Sequence, residues 1–321
     1  MKRPLVMLAV AEKPTARVLG QLLRSAMCEV ANLTPQEDVP TQTGCELLIL
    51  DAEFMRSSEP GKLDELFAFG RRQGTKILLL NEGSLDRKIP GLFRNQGVTN
   101  LLAHNTGLDT IDAVITVNKL LTRDIFGLKK YLPWGMRVVE RTVYTSARAP
   151  QLLSELEEFA AHTGCDRRLA NAFVSVADEF ITNALYNAPV GADGNHLFRH
   201  LKRTEPVELP VGREVTLKYG CDGSKLILSI SDRFGSLSVD MLTHYLERWF
   251  EHDEHAVRET SGGAGLGLLY VFKYLSAIIV NIAPGSCTEF IGFIDISGTY
   301  KDFIAKHKSF HIFTGAAQAS W

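Results

Sequence analysis

Four short, almost wholly apolar runs recur through the first 126 residues: 4–11 (PLVMLAVA), 45–52 (CELLILDA), 76–81 (KILLLN) and 98–103 (VTNLLA). Helix-spaced segments separate them, among them 15–27 with Val18, Leu22 and Leu23 on one face, 62–73, and the amphipathic stretch 108–126. A strand that is apolar on both faces must be covered on both, and strands alternating with helices meet that need in a parallel sheet wrapped by helices. The pattern predicts an α/β, doubly wound parallel-sheet domain over 1–126. Such sheets gather polar chemistry at the carboxyl ends of their strands. Those ends carry Glu12, Asp51, Asn81 and His104.

The remainder reads differently. Pro133 and Gly135 in GLKKYLPWGMR punctuate a linker at 127–136. Beyond it come a strand (137–147), helices near 149–162 and 166–188, and a hairpin turning at Asp222-Gly223. A helical segment (238–252), a helix (266–276) and strands near 278–283 and 287–296 follow. Helices followed by antiparallel strands predict an α+β two-layer sandwich over 137–300, leaving 301–321 as an unassigned C-terminal tail.

Composition excludes several classes. With 35 basic and 37 acidic residues, the net charge is −2, against the basic excess that a nucleic-acid backbone demands. Five scattered cysteines with no CxxC spacing argue against a disulfide framework or a zinc site, and for a reducing cytoplasm. No apolar run reaches the roughly 18 residues of a membrane span. The start MKRPLVMLAVA imitates a signal peptide, but its apolar run is short and serves better as a first strand.

Chemistry concentrates in the second domain. At 262–268 the chain reads GGAGLGL and runs into a helix, a bare backbone that lets amide groups approach an anion. It is neither a GxxxxGK[ST] loop nor a dinucleotide fingerprint, since a charged stretch rather than a strand precedes it. In EFITNALYNA, Glu179, Asn183 and Asn187 share one helical face beside the apolar stripe Leu169, Phe173, Val176, Phe180 and Ala184. Asparagine is a poor mid-helix residue. A carboxamide oxygen can hold Mg²⁺ and a carboxylate can take a proton, although a solvated face would carry the same residues. Asp232 ends a strand in SDRFGSL, where aspartate by itself is commonly a turn cap. Thr288 opens a strand, where threonine by itself is simply a good β residue.

In this order the four elements resemble the GHKL (Bergerat) ATPase family of histidine kinases, DNA gyrase, mismatch-repair ATPases and large heat-shock chaperones, over about 137–297. The closest likeness is to the anti-sigma-factor serine kinases. The resemblance implies a Bergerat ATP-binding fold with ATP and Mg²⁺ as cofactors. Glu179 would be the general base, Asn183 the metal ligand, and Asn187 a phosphate-lining residue. Asp232 would read adenine with Gly235 in the first glycine box, Gly263, Gly265, Leu266 and Gly267 would meet the phosphates, and Thr288 would lie near the base. Segment 238–261 would be the lid. Phe234 and Ser236 stand where the family places glycines in the first box.

The first domain resembles the response-regulator receiver over about 4–126. That likeness makes Asp51 a possible phosphoacceptor with Glu12 as one metal-binding acid. Ala11 stands at the second acid, Asn81 at the hydroxyl and His104 near the lysine, so a degenerate receiver used for docking or dimerisation is expected. The expected whole is a cytoplasmic bacterial signalling protein that binds Mg-ATP and hydrolyses it or transfers its phosphoryl group to a partner protein. It would form a possible homodimer and contact neither nucleic acid nor membrane. The alternative is a non-catalytic ATP/ADP-gated protein-binding switch, with the basic run 198–203 (FRHLKR) in its docking surface or on a solvated helix face. An NAD-dependent oxidoreductase is a third and weaker reading.

Overall fold

A computed structural model describes residues 3–39, 44–59, 61–83, 89–105, 107–244 and 271–316. The fold is mixed α/β, and the chain divides into two compact units: 1–124 with 307–311, and 125–306 with 312–321.

In the first unit, β1 (Leu5–Ala9), β2 (Glu29–Asn32), β3 (Cys45–Leu50), β4 (Lys76–Asn81) and β5 (Asn100–Ala103) lie in the order β2-β1-β3-β4-β5. All are parallel. This is one of the two common doubly wound orders. The helices α1 (Lys13–Ser25), α2 (Ala52–Ser57), α3 (Lys62–Gln73), α4 (Ile89–Gln96) and α5 (Thr110–Thr122) connect them. The runs that read as apolar on both faces are covered on both: Leu47 to Leu50 and Leu78 to Leu80 are essentially inaccessible. β2 escaped the sequence reading because it is a short, half-exposed edge strand of polar composition, the kind that shields a sheet edge.

The tail left unassigned, 301–321, holds a helix and a strand among its described residues, 301–316. Thr299 caps the helix α8 (Tyr300–Ala305) with a reciprocal Asp302 hydrogen bond, and the strand β11 (Ser309–Thr314) follows. In the first unit Phe310 and His311 pair antiparallel with Leu101 and Asn100 of β5. Ser309 Oγ accepts from the Ala103 amide, and Asn81 Nδ2 donates to the Lys308 carbonyl.

The second unit holds a five-stranded antiparallel sheet, β9 (Ala277–Ala283), β10 (Cys287–Asp295), β8 (Lys225–Asp232), β7 (Val215–Cys221) and β6 (Val138–Val143), in that order. Helices α6 (Ala149–His162) and α7 (Arg167–Thr182) supply the helical layer, with Phe180 packed on Phe290 of β10. The segment expected as a linker at 127–136 belongs to this unit. Its 3₁₀ turn Leu128–Tyr131 is apolar enough to bury Leu128 and Tyr131, the latter edge-on to Phe293. Among the described residues, no helix is long and apolar enough to cross a membrane.

His311 is buried in β11, and burial together with the nearby Lys119 charge pushes its imidazole down to about 3. In the unfolded chain the ring takes a proton near the ordinary value of about 6.5. The unfolded state therefore binds more protons below that value, and stability falls as pH drops from about 6.5 toward about 3. Urea unfolding followed between pH 7 and 4 is expected to show this loss, and H311Q is expected to flatten it.

Candidate functional site

Helix α7 starts at the Asp166 cap, whose carboxylate accepts from the Arg168 amide at 2.7 Å. Its apolar stripe is buried as the periodicity required, from Leu169 through Phe173, Val176 and Phe180 to Ala184. The helix then widens into a π turn, Asn183–Asn187, closed by the Ala188 amide on the Asn183 carbonyl at 2.9 Å. Such widened turns recur at functional sites. Here the turn keeps three polar side chains in contact. Asn187 Nδ2 donates to Asn183 Oδ1 at 2.7 Å, and Asn183 Nδ2 donates to Glu179 Oε1 at 2.9 Å. Arg203 takes the other Glu179 oxygen at 2.7 Å.

Asp232 ends β8 and faces Thr288 of β10 as its direct cross-strand partner. Its Oδ1 accepts from the Phe234 and Gly235 amides at 2.8 and 3.1 Å, so it does cap the following turn. Burial drives its carboxyl up to about 6 against the lowering effect of the Phe234, Gly235 and Thr288 amides and the Thr288 hydroxyl. That hydroxyl is itself buried and completes no hydrogen bond of good geometry. Gly235 has φ +58°, and a β-carbon there would press into the Ala283 carbonyl and the Ser286 and Cys287 amides. Glycine is thus required by the close approach of the β9–β10 turn, whose Gly285 amide donates to the Gly235 carbonyl at 3.0 Å.

These groups converge. Asn183, Asn187, Asp232 and Thr288 line one cleft of about 600 Å³, counted with the solvent at its mouth. Ile230, Phe290, Leu237 and Met241 supply apolar walls. That mixture of apolar walls and a few convergent polar groups is what small-ligand sites show. Glu179 is not among the lining residues; it sits one turn behind Asn183 with both oxygens engaged. Gly263, Gly265, Leu266 and Gly267, and the lid segment beyond residue 244, lie outside the described residues.

The sequence reading missed His196 and gave no site role to Arg199 and Ser236, which also line the cleft, or to Arg203, which holds Glu179. The available signal was the basic run 198–203, whose residues form turns rather than a helix face. Among the described residues, no group of three acidic, histidine or cysteine side chains is placed to hold a metal ion. A cation bound here would rest on the Asn183 oxygen and on the oxygens of its own ligand, which is how Mg²⁺ commonly binds with a nucleotide.

In the first unit the strand ends also meet. Asp51 is wholly buried: Oδ1 accepts from the Phe54 amide at 2.6 Å as the N-cap of α2, and Oδ2 accepts from the Glu12 amide at 3.0 Å. His104 Nε2 lies 3.0 Å from Thr15 Oγ1 and 3.4 Å from Glu12 Oε2, with Nδ1 3.9 Å from Glu82. Thr15 and Glu82 were not foreseen. Burial first, and the Asp51 charge second, hold the Glu82 carboxyl above its ordinary range. Asn81 spends its amide on the Lys308 carbonyl and accepts from the Gly83 amide at 3.1 Å.

No family model matches the chain, and no curated protein matches it.

Three outcomes follow from this geometry. G235A is expected to cost about 2 kcal/mol or more in urea unfolding, because left-handed backbone and a backbone clash coincide. D51A is expected to lose about 1–2 kcal/mol as a buried cap, and acetyl phosphate is expected to leave wild type unlabelled by mass spectrometry.

Proposed function

We propose that the second unit binds an adenine nucleotide with magnesium, and that the protein is a two-unit signalling device whose receiver-like first unit serves docking rather than phosphorylation. The observation that carries the reading is the convergence of Asn183, Asn187, Asp232 and Thr288, spread over more than a hundred positions of sequence, on one cleft. The likeness of these segments to the GHKL boxes supports the choice of ligand.

The donor set suits it. Asp232, ionised above about pH 6, offers an acceptor to an exocyclic amine beside the apolar walls of Ile230 and Phe290. The buried Thr288 hydroxyl beside it can both donate and accept. Asn183 and Asn187 present carboxamides that suit a cation or phosphate oxygens. Bound Mg-ATP would supply an electrophilic phosphoryl group whose charge the cation partly neutralises. Glu179, hydrogen-bonded to Asn183, would be the group to receive a proton during hydrolysis or transfer to a partner's hydroxyl. This requires release of one oxygen from Arg203.

That last requirement favours a second reading, the non-catalytic switch: Glu179 is held at both oxygens, so binding is supported more directly than turnover. The buried Asp51, each oxygen accepting from a backbone amide, supports a pseudo-receiver in the first unit.

Calorimetric titration with Mg-ATP tests the shared claim. Wild type is expected to bind, with affinity rising up to about tenfold between pH 5 and 7 as Asp232 ionises. D232N, which keeps the turn-capping oxygen, is expected to bind about tenfold more weakly at pH 7.5 and to lose the pH dependence. Absence of uptake by wild type would sink the proposal. ADP release lost in E179A with binding retained identifies an enzyme; binding without turnover in both proteins identifies the switch.

A further inference from the structure

The segment between the π turn and β7 is built as a fixed wall of the cleft. It opens with a small hairpin in which Val190 and His196 form an antiparallel bridge. The Gly191 amide donates to the Asn195 carbonyl at 2.9 Å, and the Leu197 amide to the Pro189 carbonyl at 3.0 Å. Asp193 closes the turn by accepting from the Asn195 amide and side chain at 3.0 and 2.7 Å. Further on, Tyr186 of the π turn donates to the Arg203 and Glu205 carbonyls at 3.2 and 2.8 Å, and Arg203 is paired with Glu179. The loop is therefore tied to the α7 end before and after the two residues it brings to the cleft, His196 and Arg199.

Those two change what the cleft can select. Among its described lining residues Asp232 is the one acid and Arg199 the one guanidinium, with His196 the remaining titratable group. His196 Nδ1 is buried and has no hydrogen-bond partner. A cleft with a carboxylate acceptor, apolar walls and a separate cation matches a ligand with a donor-bearing ring and an anionic group. Resting on the nucleotide reading above, we infer that Arg199, assisted by His196, is the anion-recognition element of this cleft and makes it select nucleoside phosphates over nucleosides. A guanidinium suits that task because it is charged at every relevant pH and presents paired N–H donors to phosphate oxygens. A His196 nitrogen with no existing bond gains a ligand contact without giving one up.

The test compares Mg-ATP with adenosine, titrated calorimetrically into the full-length wild type, R199Q and H196F. R199Q is expected to weaken Mg-ATP about tenfold while leaving adenosine within about twofold. H196F, which puts a phenyl ring in place of the imidazole and so removes both nitrogens, is expected to shift the same ratio in the same direction by about threefold. If R199Q weakens neither compound, or both equally, the assignment is overturned while the nucleotide reading stands. A wild type that binds neither compound removes both.

Discussion

Everything in the second unit's cleft depends on one tight backbone contact, Gly235 against the β9–β10 turn. It lets the chain leave β8 sharply, so that Asp232 stays in register opposite Thr288 and turns its carboxylate inward instead of following the strand into solvent. The two amides on Oδ1 come from Phe234 and Gly235 in the turn that follows β8, so the residue that caps this turn is also the one that lines the cleft. A carboxylate so placed carries the cost of burial continuously, visible in its elevated affinity for protons. Buried carboxylates with raised proton affinity cluster at functional sites.

The first unit handles a similar problem with the opposite result. Asp51 is buried at a strand end like Asp232, but its two oxygens are distributed between two elements, the start of α2 and the β1–α1 connection. The same residue type at the same kind of position is thus a latch in one unit and a cleft wall in the other. What separates them is how the amides are shared out: Phe234 and Gly235 meet on one oxygen of Asp232, whereas Glu12 and Phe54 take one oxygen each of Asp51.

Much of this was legible in the sequence where the signal is local. The doubly wound unit followed from β3 and β4 being apolar on both faces, and α7 from a stripe at helical spacing that ends buried at Ala184. The hairpin followed from Asp222-Gly223, where the Asp222 carboxylate accepts from the Ser224 and Lys225 amides. What stayed hidden is set by distant partners. The π turn adds no local signature to NALYN. The wall carrying His196 and Arg199 depends on a Tyr186 hydroxyl bonding 17 and 19 residues downstream, which no periodicity records. β11 reads as an unpatterned SFHIFT until the β5 edge is there to receive it.

That last pairing has a consequence for biosynthesis. Leu101 and its strand neighbour Phe310 are separated by roughly 200 residues, so at ribosomal speeds of about 5–20 residues per second the open side of β5 waits on the order of 10–40 s for its cover. An unpaired strand side is a template for other chains during that interval. Newborn first units emerging close together on one message would therefore be exposed to each other at this position, and a stop codon placed before residue 309 would leave them so permanently.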